Sequence, residues 1–249
     1  MTATSTALPP GVTPAPEQTS SSAPIPPSKP EWPMPKLLFV VEDMACPGGI
    51  RVFQALDNPA SFLQTCIINI YKLLYTKKSV PTNIRSITFT FRSMDGVAYT
   101  TGSRLDNDHK EIHFSTNYIS NIDASRLSHE VQGVLLHELV HCFQQDGKGK
   151  CPGGLIEGIA DWVRLKGGFA PPHWKRAPPS KWDDGYERTA FFLEWIEQSY
   201  GATVIRKLNE CMCEEYEDEL WKTLTGHSID SLWKKYLHEY DAKATKDAE

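Results

Sequence analysis

Residues 131–143 constrain the fold more than any other stretch, because they combine a helical apolar pattern with two histidines and a glutamate. Apolar residues recur at helical spacing along this stretch: Val131, Val134, Leu135, Leu139 and Phe143. His137 and His141 lie four positions apart, so their imidazoles project from one face of the predicted helix, one turn apart. Burying such groups is costly unless something pairs them, and a metal ion would remove that cost. The pattern therefore predicts a helix that presents two nitrogen ligands.

A second predicted helix, at about residues 154–166, offers a third ligand. The Gly- and Lys-rich residues 147–150 let the chain reverse between the two helices. Glu157 and Asp161 are four positions apart and share one face of this helix. A catalytic zinc needs a third protein ligand and an open position. We predict that Glu157 binds the metal and that Asp161 accepts a proton from the distal nitrogen of a ligand histidine.

Glu138 lies directly after the first histidine, in the order His-Glu-x-x-His. In zinc peptidases a carboxylate at this position takes a proton from the attacking water and later passes it to the leaving amine. Taken singly, these residues are more often satisfied core histidines and solvated carboxylates. Their order and the short loop between the helices favour a metal site. Zinc is inferred from the motif, although imidazole and carboxylate also suit other divalent ions.

Peptide hydrolysis also needs a donor to the oxyanion that develops at the attacked carbonyl. Tyr186 follows a glycine turn, and its phenol can either point into a cleft or pack against the metal-binding helices. His173, in a Pro-Pro-His-Trp stretch, is the second candidate, although a rigid surface turn is the favoured interpretation there. Residues 110–115 are predicted to form the sheet edge beside the metal, where an extended substrate could add as a strand.

Strand patterns precede helix patterns, which predicts an α+β domain with a small N-terminal twisted sheet and a helical C-terminal half. The predicted strands are residues 37–41, 84–92, 96–101 and 111–115. The predicted helices are residues 59–76, 128–145, 154–166, 184–199, 200–215 and 229–240. Cys-Pro-Gly-Gly occurs at 46 and again at 151, and predicts a turn at each place. We expect one domain over residues 36–240, followed by a polar tail at 241–249.

Residues 1–35 hold ten of the 18 prolines and almost no large apolar side chain. This composition predicts a disordered leader with polyproline II character. The PxxP spacing of Pro24, Pro27 and Pro30 could dock a proline-reading partner, although a solvated leader is the favoured interpretation.

Charge and hydropathy exclude several classes of partner. A net charge of -5 gives no basic field for nucleic acid, and no apolar run is long enough to span a membrane. The N-terminus lacks the basic and apolar regions of a secretory signal, so we expect a cytoplasmic protein with reduced cysteines, although unconventional secretion would leave no readable trace. The expected partner is a peptide or protein substrate. The oligomeric state is not predicted.

Five stretches of the chain resemble the plant basic secretory proteins and their bacterial and fungal relatives, the peptidases of plants and bacteria. The stretches are EIHFSTNYI, GVLLHELVHCFQ, PGGLIEGIADWVRLKGGFAPPHW, WDDGYERTAFFLEW and LTGHSIDSLWKKY. The similarity is close over residues 110–240, loose over 36–109, and closest to fungal members. The resemblance implies a zincin-like fold of the gluzincin type, with zinc ligands His137, His141 and Glu157. It also implies that Glu138 is the base and that Asp161 hydrogen-bonds to a ligand histidine.

Two departures limit what the resemblance implies. Plant members are basic and secreted, whereas this chain is acidic with a proline-rich leader, so defence roles at the cell wall are not carried over. Cys142 adds a thiol beside the second histidine, and we expect it to face the core, because adjacent helix positions diverge by about 100 degrees.

We therefore predict a zinc-dependent peptidase. Two alternatives stay open: a non-catalytic binding protein that keeps the fold, and a metal-dependent hydrolase of a non-peptide amide or ester.

Overall fold

Strands lie in the first half of the chain and helices fill the second half. The computed structural model describes residues 31–178 and 180–246. Its strands are β1 (Lys36–Val41), β2 (Ser86–Arg92), β3 (Ala98–Gly102) and β4 (His109–Ser115). Its helices are α1 (Pro47–Ala55), α2 (Pro59–Leu74), α3 (Thr116–Ser120), α4 (Leu127–His141), α5 (Gly153–Lys166), α6 (Tyr186–Tyr200), α7 (Val204–Cys211), α8 (Glu219–Thr225) and α9 (Ile229–Lys246). The predicted α+β class is confirmed. The predicted leader and its PxxP motif lie almost wholly outside the described residues.

The sheet has the order β1-β2-β4-β3. The first three strands are parallel, and β3 runs antiparallel to β4. The prediction that residues 110–115 form the edge is wrong, because β4 is paired on both sides. Ile112 and Phe114 of β4 are buried, as a central strand requires, whereas β3 alternates between half-buried and exposed residues. The edge that lies beside α4 is therefore β3.

Both Cys-Pro-Gly-Gly sequences begin helices, so the prediction of two turns is wrong. The first begins α1, where Cys46 caps the helix and its sulfur accepts a hydrogen bond from the Gly49 amide at 3.2 Å. The second begins α5. Proline is favoured in the first turn of a helix because its missing N–H is not needed there. The glycine that follows Pro47 serves close packing, since a Cβ on Gly48 would lie 2.0 Å from the Thr116 carbonyl oxygen.

Helix boundaries differ from the predictions mainly in the C-terminal half. The predicted helix 200–215 is shorter, as α7, and the acidic residues after it lead into α8, which was not predicted. Helix α9 continues past the predicted end at 240 to Lys246. At the other end, Trp32 is buried in the core and its ring lies 5.8 Å from that of Tyr71, so the compact unit begins before residue 36.

The core joins the sheet to the helical half, and α5 packs against both α4 and α6. The six cysteines carry free thiols. Across residues 31–178 and 180–246, no helix combines the length and the apolar character needed to cross a bilayer.

Candidate metal centre

Helix α4 is buried along nearly all of its length, so its polar side chains face other protein groups. Val131, Leu135 and Leu139 have no exposed surface, and they anchor the helix in the core. His137 and Glu138 are only 8% and 6% exposed. The imidazoles of His137 and His141 lie on one face with ring centroids 4.8 Å apart, as the four-residue spacing predicted.

Helix α5 is held close to the start of α6 by two glycines. A Cβ on Gly154 would lie 1.8 Å from the Asp183 carbonyl oxygen, and one on Gly158 would lie 2.2 Å from Thr189 Cγ2. Only glycine permits this approach. The contact sets the position of α5, and the Glu157 side chain then faces α4.

Three donor atoms from the two helices converge. His137 Nε2 lies 3.1 Å from His141 Nε2 and 3.2 Å from Glu157 Oε2. The third separation, between His141 Nε2 and Glu157 Oε2, is 3.7 Å. The structure thus brings together the three predicted ligands in an arrangement that could hold a metal ion.

Asp161 supports the first histidine. Its Oδ1 lies 2.7 Å from His137 Nδ1, and the carboxylate is almost fully buried. Burial lowers the pKa of His137, but hydrogen bonds to Asp161 and Glu157 outweigh burial and raise it to about 9. Burial raises the pKa of Glu157, but hydrogen bonds to both histidines outweigh it and lower the pKa to about 2. The centre is therefore built to hold positive charge.

Gln144 supports the second histidine, and the sequence reasoning missed it. Its side-chain amide nitrogen lies 2.8 Å from His141 Nδ1, and its amide oxygen is buried with no partner among the described residues. Rotating the amide by half a turn lets the oxygen accept from Nδ1–H, which leaves the Nε2 lone pair of His141 free for a metal. The i+3 spacing from His141 was the available signal.

Strand β3 contacts the predicted base. Thr100 Oγ1 lies 2.7 Å from Glu138 Oε2 and 2.9 Å from the Glu138 carbonyl oxygen. This hydroxyl therefore orients the carboxylate beside the three donors. Sequence reasoning also missed Thr100, because no local pattern connects positions 38 residues apart.

Tyr186 begins α6 in a left-handed backbone conformation, with φ of 48°, directly after Gly185 with φ of 96°. Such a φ is unusual for a residue with a large side chain. The phenol ring stacks on His137 at 6.2 Å and remains 55% exposed. The nearby Glu157 carboxylate raises the pKa of Tyr186, so the hydroxyl keeps its proton. The ring packs against His137 and Tyr186 lines the cavity, and its role as a donor stays a prediction. His173 is exposed and does not line the cavity.

A cavity of about 800 Å³ covers the centre. Its wall includes residues 97–100 of the β3 region, and it extends along α4 towards Val134 and Glu130. Cys142 is not among its lining residues, and the thiol is buried in the core as predicted.

The family model described as peptidase of plants and bacteria matches residues 34–236. No curated protein and no solved structure matches the chain. The matched region spans the sheet, the three converging donors and Tyr186. The chain therefore belongs to the BSP family, the peptidases of plants and bacteria, as its sequence motifs predicted.

Proposed function

We propose that this protein is a zinc-dependent peptidase, with His137, His141 and Glu157 as the metal ligands. The observation that carries the proposal is the spacing of their donor atoms, at 3.1, 3.2 and 3.7 Å. Ligands about 2.0–2.2 Å from a tetrahedral zinc ion lie roughly 3.3–3.6 Å from one another. Two imidazoles and one carboxylate form a ligand set that catalytic zinc sites use.

Zinc, when bound, supplies Lewis acidity that polarises the scissile carbonyl and makes a water molecule acidic near pH 7. Glu138 is the residue that moves the protons in this proposal. Its carboxylate is next to His137 in sequence, and the Thr100 hydroxyl holds one of its oxygens at 2.7 Å. The free oxygen can accept the proton of the attacking water and then donate it to the leaving amine.

The edge of β3 is the proposed substrate platform. Ala98 and Thr100 line the cavity, and the outer edge of β3 has no partner strand in the described sheet. An extended peptide can hydrogen-bond to such an edge, which would place its backbone across the metal centre. A mixed sheet with an antiparallel edge strand beside a histidine-bearing helix supports a zincin-like fold of the gluzincin type.

Tyr186 is the proposed donor to the developing oxyanion. Tyr186 lines the cavity and is 55% exposed, and its hydroxyl keeps its proton. The strained φ of 48° supports this role, because backbone strain at a single position is usually retained where it serves a site.

The proposal is tested by measuring zinc per chain and peptide cleavage in the wild type and in Glu138→Gln. We expect one zinc per chain in both proteins. The variant should cleave peptides about a hundredfold or more slowly than the wild type. A wild type that binds no zinc at micromolar concentration contradicts the metal site.

The same measurements separate the two alternative functions. A binding module would bind zinc and peptide without cleaving the peptide. Its peptide affinity would be the same in the wild type and in Glu138→Gln. Cleavage of ester or non-peptide amide substrates alone identifies a different hydrolase.

A further inference from the structure

The cavity has a second polar end, away from the metal centre. Helices α4 and α5 face each other through three successive side-chain pairs. The pairs are His141 with Glu157, His137 with Asp161, and Glu130 with Arg164. The first two belong to the centre already described. Both residues of the third pair line the same cavity, and neither has a part in the proposed chemistry. Glu130 lies seven residues before His137 on α4.

Arg164 is a buried residue that is held in place on several sides. Its Nε donates to the Phe169 carbonyl oxygen at 3.0 Å, and its Nη2 donates to Glu130 at 3.4 Å. Its guanidinium lies over the Trp174 ring at 5.4 Å. Gly133 makes room for it, since a Cβ there would lie 2.7 Å from Arg164 Nε.

One donor of Arg164 is left over. Within the described part of the chain, Nη1 makes no hydrogen bond. This nitrogen is not fully enclosed by protein atoms either, so it retains access to solvent. Arg164 lines the cavity and is otherwise buried, so the cavity is where we expect that access.

The charges at this end favour an anion. Glu130 receives hydrogen bonds from Arg126, Arg164 and the Tyr118 hydroxyl, so its single charge faces two cations. The local sum is therefore positive. At the other end of the cavity Glu138, Glu157 and Asp161 surround the two histidines. An extended substrate would thus meet opposite fields at the two ends.

We propose that Arg164 forms a carboxylate-binding subsite that selects peptides with a negative charge two or three residues from the scissile bond. This inference rests on the proposed peptidase function. Seven residues of helix correspond to about 10 Å between the metal centre and the subsite. An extended peptide covers that distance in about three residues, at roughly 3.3 Å each. The carboxylate comes either from an Asp or Glu side chain or from the C-terminus of the substrate.

The test measures binding rather than cleavage, so that it does not depend on turnover. Zinc-loaded Glu138→Gln protein is titrated with pairs of peptides that differ in one group. One set of pairs compares Asp or Glu with Asn or Gln, and the other compares a free with an amidated C-terminus. We expect the charged form to bind about ten- to a hundredfold more tightly, as for a charge-assisted hydrogen bond. Dependence on amidation identifies the C-terminus, and dependence on the side chain identifies an acidic residue.

Two variants in the same background locate the effect. Glu130→Gln with Arg164→Gln removes both charges of the pair, which avoids leaving one of them buried alone. The preference for a carboxylate should then disappear. Arg126→Gln is the matched control, because Arg126 contacts the same glutamate but does not line the cavity. It removes the excess positive charge but keeps the Nη1 donor of Arg164, so it should keep most of the preference.

Equal binding of charged and neutral peptides overturns the subsite, as does a preference that survives the double variant. Failure of the wild type to cleave any peptide argues against the peptidase function alone, because the binding comparison would still report on Arg164.

Discussion

The two histidines of the candidate metal centre differ in what holds their second ring nitrogen. Asp161, a carboxylate, supports His137, whereas Gln144, a neutral amide, supports His141. Gln144 lies about one helical turn after His141, whereas Asp161 reaches His137 from the neighbouring helix α5. Partners of this kind fix the tautomer of a ligand histidine and typically contribute ten- to a hundredfold to metal affinity.

We expect Gln144→Leu to weaken zinc binding by about ten- to a hundredfold, because His141 would lose its acceptor. Gln144→Glu should retain the affinity, since a carboxylate oxygen also accepts from Nδ1–H. Competition with a chromophoric chelator measures both. Equal affinities for Gln144→Leu and wild type would show that His141 needs no orienting partner.

Metal binding at neutral pH should release a proton from His137. Burial lowers the pKa of His137, but hydrogen bonds to Asp161 and Glu157 outweigh burial and raise that pKa to about 9 in the metal-free protein. The ring is therefore protonated at pH 7. Zinc requires the neutral imidazole. Apparent zinc affinity should therefore rise with pH up to about pH 9 and then level off with respect to this group. Calorimetry in two buffers of different ionisation enthalpy counts the protons, and a buffer-independent heat at pH 7 would contradict the prediction.

At the scale of elements, the site depends on how closely α5 approaches the chain before α6. Neighbouring glycines at the start of α5 provide a matched pair of positions. A Cβ on Gly154 would lie 1.8 Å from the Asp183 carbonyl oxygen, whereas a Cβ on Gly153 would have nothing within 4 Å.

Gly154→Ala should destabilise the protein by about 1–3 kcal/mol, because backbone must move to admit the methyl group. It should also weaken zinc binding, since Glu157 lies one turn further along α5. Gly153→Ala is the control and should leave both properties unchanged or slightly improve stability. Thermal unfolding and zinc titration measure the two effects. Equal results for the two variants would mean that α5 is not positioned by this contact.

For the molecule as a whole, zinc should act as a clamp between α4 and α5. A ligand at a thousand times its dissociation constant stabilises the folded state by about 4 kcal/mol. For a domain of this size we expect the unfolding temperature to fall by roughly 8–16 °C when a chelator removes the metal. Calorimetry with and without chelator tests this. The Glu157→Ala variant should show a much smaller shift, and an equal shift there would place the stabilising metal elsewhere.

The sequence alone determined the features that arise from local periodicity. The four-residue spacing of His137 and His141, with Glu138 between them, requires only helix geometry to present two ligands on one face. The spacing of Glu157 and Asp161 predicted a carboxylate pair on a second helix in the same way. The order of strand and helix patterns determined the α+β class, and the series of family motifs predicted the family that the match over residues 34–236 then confirmed.

Only the tertiary structure decided which residues complete the site from a distance. Thr100 reaches Glu138 from another element, and Arg164 meets Glu130 across the seam between α4 and α5. Strand order was also decided by the tertiary structure. Strand β4 pairs with β2 on one side and with β3 on the other, so β3 forms the edge in place of the predicted residues 110–115. Side-chain periodicity reports which face of an element is buried, but it carries no information about which other element covers that face. Those partners are chosen by packing of the whole chain.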